Sequence, residues 1–196
     1  MDVIGDDGWG GGISEGNVQT FLNDNRTKPV SIKINSLGGS FYSGLSIFNQ
    51  LLDHPKPVTA TVTGIAFSAA SLIAMGADRL IMNEASDFGI HKAWTFTLGN
   101  ADELTAAAEW LNSVDAHGIT VYQAKSGASR QQVVDWLTGS GDGMGTKFSA
   151  TEALAAGFCD EVIPIKKPEP ESKFNSSHAK LAAEIQQKRI KARLGR

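Results

Sequence analysis

Apolar and polar residues follow one another along the first part of the chain in a pattern that predicts strands separated by helices. Residues 30–35 and 58–62 alternate apolar with polar positions and are rich in β-branched residues, which is typical of strands. Residues 41–53 carry apolar side chains at helical spacing, a small-residue helix is predicted over 66–76, and a third strand is predicted over 79–82. This order predicts parallel strands joined by right-handed crossovers.

The second part of the chain is predicted to be mainly helical. Asn100 and Glu103 have the spacing of a capping box and predict a long helix that ends near Lys125. Its apolar residues form a stripe along one face: Leu104, Ala108, Leu111, Val114 and Val121. The stripe indicates burial, either in the core or against another molecule. Two shorter helices and a final strand are predicted after it, over 129–137, 151–156 and 158–163.

The charge changes sign towards the C-terminus. Residues 1–165 hold nine basic and 18 acidic side chains, a net charge of −9, whereas residues 166–196 hold nine basic and three acidic ones, a net charge of +6. We therefore predict a main domain over 1–163, a linker over 164–177 and a basic helical tail over 178–196. The tail is interpreted either as a solvated end or as a docking element for an acidic partner.

The composition excludes several classes of protein. The 196 residues, 41% hydrophobic and 20% charged, are typical of a globular fold, and the net charge of −3 gives no basic field for nucleic acid. The single cysteine, Cys159, excludes an intrachain disulfide and a cysteine-cluster zinc site. With no metal-ligand spacing or phosphate loop, we expect no cofactor. No apolar run approaches the roughly 20 residues of a membrane span, and the first residues do not resemble a secretory signal, so a cytoplasmic protein is predicted.

Two predicted turns, and the end of a predicted strand at His91, carry residues that suit nucleophilic catalysis. The turns at Gly38-Gly39 and Gly64–Ser68 are predicted to be neighbours, because strand-to-helix turns of parallel units share one sheet edge. Ser68 is either a helix cap or a nucleophile, and His91 is either structural or the base that accepts the serine proton. Backbone N–H groups at the glycine turn suit the stabilisation of an oxyanion.

Four segments, in this order, resemble the proteolytic subunit of the Clp protease family. They are INSLGGS at 34–40, GIAFSAAS at 64–71, GIH at 89–91 and the segment from FSATEA to GFCD at 148–160. The resemblance covers roughly residues 1–163 and implies an α/β fold, a crotonase-like spiral of βαβ units with mostly parallel strands. It also implies a serine endopeptidase. The opening and the tail resemble the phage and prophage branch, whose members are proposed to process capsid and scaffold proteins.

The resemblance implies a role for each of four residues. Ser68 matches the nucleophile, His91 matches the general base, and Gly39 and Ala69 match the oxyanion-hole donors. It also implies a polypeptide substrate and homo-oligomeric rings, heptameric and stacked, with the long helix as the element through which rings meet. An ATPase unfoldase or capsid proteins are the further partners implied, in the host cytoplasm if the protein is phage-encoded, with no nucleic acid and no membrane.

The family's catalytic triad is completed by an acidic residue, and at that position this sequence departs from the family pattern. Gly145 occupies the position of the family's aspartate. We predict that Asp142, in the same glycine-rich loop, supplies the carboxylate to His91, with Asp135 as the alternative. Asp160 matches a structural position of the family and is not a candidate.

Two other interpretations remain open at this point. A catalytically idle ring or scaffold component is favoured by the glycine at position 145. An acyl-CoA enzyme of the same fold would use paired N–H groups in a similar way, but with carboxylates in place of serine and histidine.

Overall fold

A computed structural model of the chain describes residues 3–5, 11–141, 143–166, 180–182 and 184–185. The chain divides into two compact units, residues 1–165 and 166–196. In the second unit, the described residues 180–182 and 184–185 are helical and fall within the predicted tail helix. The other residues of the predicted tail, and the predicted linker from residue 167 onwards, lie outside the described residues.

The described part of the first unit alternates helices and strands. In chain order these are α1 (Glu15–Asp24), β1 (Val30–Ser36), α2 (Phe41–Leu52), β2 (Val58–Phe67), α3 (Ala69–Met75), β3 (Arg79–Asn83), β4 (Asp87–Ile90), α4 (Ala101–Ser126), α5 (Arg130–Thr138), β5 (Thr146–Ser149), α6 (Ala150–Ala155) and β6 (Glu161–Ile163). Every element predicted within residues 1–163 is present, with shifted ends, whereas α1 and β5 were not predicted. The capping box of Asn100 and Glu103 is formed at the start of α4.

The six strands form one mixed sheet in the order β5-β4-β2-β3-β6, with β1 paired to β2 as well. The pairs β1–β2, β2–β3, β2–β4 and β3–β6 are parallel, and β4–β5 is antiparallel. The mostly parallel sheet confirms the α/β fold class expected from the order of elements.

Strand β2 is longer than predicted, and this places the start of α3. The pattern predicted a strand that ends at residue 62 and a helix from residue 66, but β2 continues to Phe67 and α3 begins at Ala69. Residues 65–67 of β2 pair with residues 87–89 of β4. A strand partner more than 20 residues away is invisible to local periodicity, so the small residues were assigned to the helix.

Helix α3 lies within the core, and every residue from Ala69 to Met75 is buried. Small residues allow neighbouring backbones to approach it closely: a Cβ at Gly44 of α2 would lie 3.0 Å from the Ala69 Cβ. In the same core, the rings of Phe88 and Phe158 stack with centroids 4.9 Å apart. The start of α3 is therefore held rigidly, which matters for the site built on it.

Among the helices of the described segments, none combines the length and the apolar character that a membrane crossing requires.

Candidate active site

The two glycine-containing turns meet at the sheet edge, as the parallel topology predicted. Gly38 follows β1, with a φ of 102°, and a Cβ added to it would lie 2.7 Å from the Ser68 Cβ and 2.9 Å from the Ala69 nitrogen. The buried hydroxyl of Ser36 accepts a hydrogen bond from the Gly38 N–H, at 3.1 Å, and fixes the turn. Only glycine fits here, because any side chain would collide with the turn that carries Ser68.

Ser68 has a backbone conformation that few residues adopt. Its φ of 57° and ψ of −128° make it the one residue other than glycine with positive φ among the described residues. Although it stands at the N-cap of α3, its side chain makes no capping hydrogen bond. Backbone strain of this kind costs about 1–3 kcal/mol and persists where the surroundings enforce it, which happens most often at functional sites.

His91 comes directly after β4, and its imidazole stacks on the ring of Phe67. The two rings are parallel, with an interplanar angle of 1° and centroids 4.9 Å apart. Gly89 makes this possible, because a Cβ there would lie within 2.6 Å of the Phe67 ring edge. The Gly89 carbonyl also accepts a hydrogen bond from the Ser68 N–H, at 3.1 Å. Strand β4 thus positions both the histidine and the serine.

Burial lowers the pKa of His91 below its ordinary value, and this effect exceeds the opposing effects of the Lys92 backbone and of the Asp115 charge. Desolvation disfavours the charged form of an imidazole. Burial therefore favours the neutral imidazole, which is the state that a general base requires.

A cavity of about 870 Å³ joins these groups. The residues predicted from the sequence as nucleophile, base and oxyanion-hole donors all line it: Gly39, Ser68, Ala69 and His91. Most of the remaining wall is apolar and includes Tyr42, Trp94 and Leu137. The cavity is large enough for several side chains of an extended peptide.

The turn at Gly39 is fastened to the N-terminal segment. Gly39 forms a bridge with Ile4, the Ser40 N–H donates to the Ile4 carbonyl at 2.8 Å, and the Ile4 N–H donates to the Gly38 carbonyl at 2.9 Å. A Cβ on Gly39 would overlap the Ile4 backbone. On the other side, Ala69 is the first residue of α3, so its N–H has no acceptor within the helix.

The structure describes only one of the two carboxylates predicted for the triad, Asp135, and it does not place this residue at the cavity. Asp142 lies outside the described residues, although Gly143 and Met144, which follow it, line the cavity. Asp135 is exposed on α5, where its carboxylate accepts a hydrogen bond from Gln131 at 2.8 Å, and it does not line the cavity.

Position 145 leaves no room for the acid that the family pattern has there. Gly145 has a φ of 66°, and an added Cβ would overlap the Ile90 carbonyl oxygen and lie 2.5 Å from the His91 Cα. The glycine therefore allows the chain to pass directly over the backbone of the candidate histidine. An acidic side chain at this position is incompatible with the backbone as it stands.

Asp115 is a site residue that the sequence analysis missed. It lies on α4, lines the cavity, and accepts a hydrogen bond from the Ala93 N–H at 2.7 Å. Burial raises the pKa of this carboxyl, and the hydrogen bond from the Ala93 N–H and the charge of Lys92 oppose that rise. The signal was present: Asp115 is the charged residue on the helix face that carries Leu111, Gly118 and Tyr122, all of which line the cavity.

Within the described segments, no group of three histidine, cysteine, aspartate or glutamate side chains is arranged to hold a metal ion. Asp160 has a structural position, because it accepts from the Leu80 N–H at 2.7 Å and pairs with Lys125 at 3.4 Å.

Comparison with known proteins assigns the family. The family model described as "Clp protease" matches residues 18–166. ATP-dependent Clp protease proteolytic subunits from Bacteroides fragilis and Chlamydia muridarum are 32% and 30% identical over 142 and 141 residues, or 71% and 69% of this chain. The aligned part spans 66% of the first protein, just under two thirds of its length, and 70% of the second.

A solved structure shares the fold. A ClpP1 mutant from Listeria monocytogenes superposes with a TM-score of 0.68 at 19% identity, covering 84% of this chain and 88% of that one. Together with the family model, which covers most of residues 1–165, these relatives show that the chain belongs to the Clp protease family.

Proposed function

We propose that this chain is a serine endopeptidase that hydrolyses peptide bonds with Ser68 as the nucleophile. The observation that carries the proposal is the strained Ser68, whose side chain makes no capping hydrogen bond, at the wall of a cavity that it shares with His91. Capping, the ordinary role of a serine at a helix start, does not account for this side chain.

The proposed reaction proceeds through an acyl-enzyme. The Ser68 Oγ attacks the carbonyl carbon of the scissile bond while the His91 imidazole accepts its proton. The oxyanion accepts hydrogen bonds from the N–H groups of Gly39 and Ala69, which stabilise the charge as it develops. The intermediate then expels the amine, which takes the proton from His91, and a water molecule activated by His91 releases the acid.

We infer further that Asp142 supplies the carboxylate that orients His91, because the residues that follow it line the cavity. A carboxylate in this role holds the imidazole in the correct tautomer, and turnover of a serine protease falls by about 10⁴-fold when it is replaced by an amide. The crowding at residue 145, where a side chain would collide with the backbone, favours a carboxylate from elsewhere in the same loop.

We also propose that the protein acts as a homo-oligomer of stacked heptameric rings that enclose the sites. The exposed apolar side chains along residues 94–110, among them Trp94, Phe96 and Leu98, favour assembly. The names of the relatives, which are ATP-dependent proteolytic subunits, favour an ATPase partner. The resemblance to the phage branch favours capsid and scaffold proteins as substrates.

The test is active-site labelling with a fluorophosphonate probe, which phosphonylates an activated serine. We expect labelling of the wild-type protein and none of Ser68→Ala, with hydrolysis of fluorescein-labelled casein reduced by more than about a thousandfold. Ser113→Ala, which removes an exposed hydroxyl on α4, is the matched control and keeps both activities. Labelling of Ser68→Ala at the wild-type rate would remove Ser68 from the mechanism.

One observation favours a second candidate function, a catalytically idle ring component. Position 145 holds a glycine where the family pattern has the acid. An idle component would form oligomers but would show neither fluorophosphonate labelling nor hydrolysis of casein, even at high protein concentration, so the same experiment decides between the two.

A further inference from the structure

A chain of hydrogen bonds runs from helix α4 to the backbone of Ser68. The Ser71 Oγ lies 2.6 Å from the Ser68 carbonyl oxygen and 2.8 Å from the Tyr122 hydroxyl oxygen. Ser71 is fully buried and Tyr122 is 3% exposed. Two buried hydroxyl groups are therefore linked to the carbonyl at the start of α3, that of Ser71 directly and that of Tyr122 through Ser71.

The number of protons on each hydroxyl group decides which group donates and which accepts in this series of hydrogen bonds. A serine hydroxyl has one proton, and that of Ser71 is donated to the Ser68 carbonyl. The Ser71 oxygen can then only accept from Tyr122, so the order is Tyr122 O–H to Ser71 O–H to the Ser68 carbonyl. Burial raises the pKa of the Tyr122 phenol, which keeps its proton available for donation. Hydrogen bonds linked in this way polarise and strengthen one another.

The Ser68 carbonyl, at which this series of hydrogen bonds ends, belongs to the peptide unit that carries the Ala69 N–H. Because a peptide unit is planar, its carbonyl and its N–H point in opposite directions, and fixing one of them fixes the other. The backbone N–H groups of Ser71 and Leu72 also donate to the Ser68 carbonyl, at 2.9 and 3.4 Å. The unusual φ and ψ of Ser68 orient this peptide unit, and the Ser71 hydroxyl makes the shortest of the three hydrogen bonds that hold it there.

We propose that Ser71 and Tyr122 are positioning residues that aim the Ala69 N–H at the oxyanion. This inference rests on the proposed function of Ser68. Its physical basis is that a donor stabilises a transition state only where it is already oriented, and removal of one such donor typically lowers turnover by about 10²–10³-fold. A donor that is loosened rather than removed loses part of this effect. Tyr122, on α4, acts only through Ser71.

The experiment uses the full-length protein with Ser71→Ala, Tyr122→Phe and the double variant. We expect Ser71→Ala to lower kcat and the rate of fluorophosphonate labelling about tenfold with KM unchanged, because the phosphonyl oxygen uses the same donors. Tyr122→Phe is expected to lower both rates less, about threefold, since the Ser71 bond survives. In the Ser71→Ala background, Tyr122→Phe is expected to add no further loss.

Val133→Ala is the control for a purely structural effect. Val133 is fully buried on α5 and does not line the cavity, so its truncation lowers stability while the labelling rate of the folded protein stays at the wild-type value. All rates are measured below the lowest unfolding temperature in the set. Should Ser71→Ala not fold, Tyr122→Phe, which removes a single oxygen atom, carries the test.

The outcomes separate this inference from the proposed function. Wild-type kcat and labelling in the Ser71→Ala protein, or a rise in KM alone, would reduce the pair to a structural role. If Tyr122→Phe lowered the rates by the same factor with and without the Ser71 hydroxyl, the proposal that Tyr122 acts through Ser71 would also be overturned. Labelling that persists in Ser68→Ala would instead contradict the proposed nucleophile, and the positioning role would fall with it.

Discussion

The two halves of helix α4 have opposite surroundings, although both belong to one apolar stripe. In the second half, Val114, Ile119, Val121 and Tyr122 are buried against the core of the unit. In the first half, Leu104 and Trp110 remain 45% and 46% exposed. The segment before the helix is more exposed still, with Phe96 and Leu98 at 93% each.

This difference shows that an apolar stripe in the sequence does not indicate whether the same subunit or another molecule buries it. The second half is stabilised by this chain alone, and it brings Asp115 and Tyr122 to the cavity. The first half and residues 94–98 leave large apolar side chains in contact with water, which is typical of surfaces that bind another molecule. Three experiments address the contrast, beginning with the largest effect.

The first experiment places the same charge in each half of the helix. Val121→Asp introduces a carboxylate at a position that is 7% exposed, and we expect a loss of about 3–5 kcal/mol in the free energy of unfolding. Leu104→Asp, at an exposed position of the same stripe, is expected to change the free energy of unfolding of the subunit by less than about 0.5 kcal/mol. Urea unfolding measures both. Equal losses would mean that the two halves are buried alike.

The second experiment removes apolar surface from the exposed segment. The double variant Phe96→Ser with Leu98→Ser is expected to abolish assembly, as measured by size-exclusion chromatography with light scattering. Its urea midpoint at a concentration where the wild type is also monomeric stays unchanged, because neither side chain is packed within the subunit. Assembly equal to that of the wild type would show that this segment is not part of the interface.

The third experiment concerns Asp115 and produces the smallest change. The charge of Asp115 raises the pKa of His91, against the larger lowering by burial, so Asp115→Asn lowers the His91 pKa further. Because His91 must be neutral to act as a base, the acidic limb of the pH profile of kcat/KM moves to lower pH. Asparagine retains the oxygen that accepts the Ala93 N–H, so the plateau is expected to stay near the wild-type value.

Glu109→Gln is the matched control for this charge change. Glu109 is exposed in the first half of α4, and it is not among the groups that act on the His91 pKa. Its pH profile is expected to coincide with that of the wild type. An acidic limb of Asp115→Asn that stays in place or moves to higher pH would contradict an electrostatic effect of Asp115 on the histidine.

Much of the site was predictable because its residues stand at the ends of regular elements. Gly38 and Gly39 follow a strand with clear alternation, and parallel topology brings their turn to that of Ser68. Strand β5 was not predicted, because four residues after a glycine-rich loop carry little periodicity and depend on pairing with β4. The helix face that carries Asp115 could be read from the sequence, but its contact with the Ala93 N–H could not, because the two residues lie 22 positions apart.

The sequence by itself determined the order of strands and helices, the glycines at tight turns, a serine at a strand-to-helix turn and a histidine at a strand end, since these depend on neighbouring residues. Only the tertiary structure decided the strained conformation of Ser68, the lack of space at Gly145 and the half of α4 that is buried. Each of these depends on atoms brought together from distant parts of the chain, whose contacts no local pattern encodes.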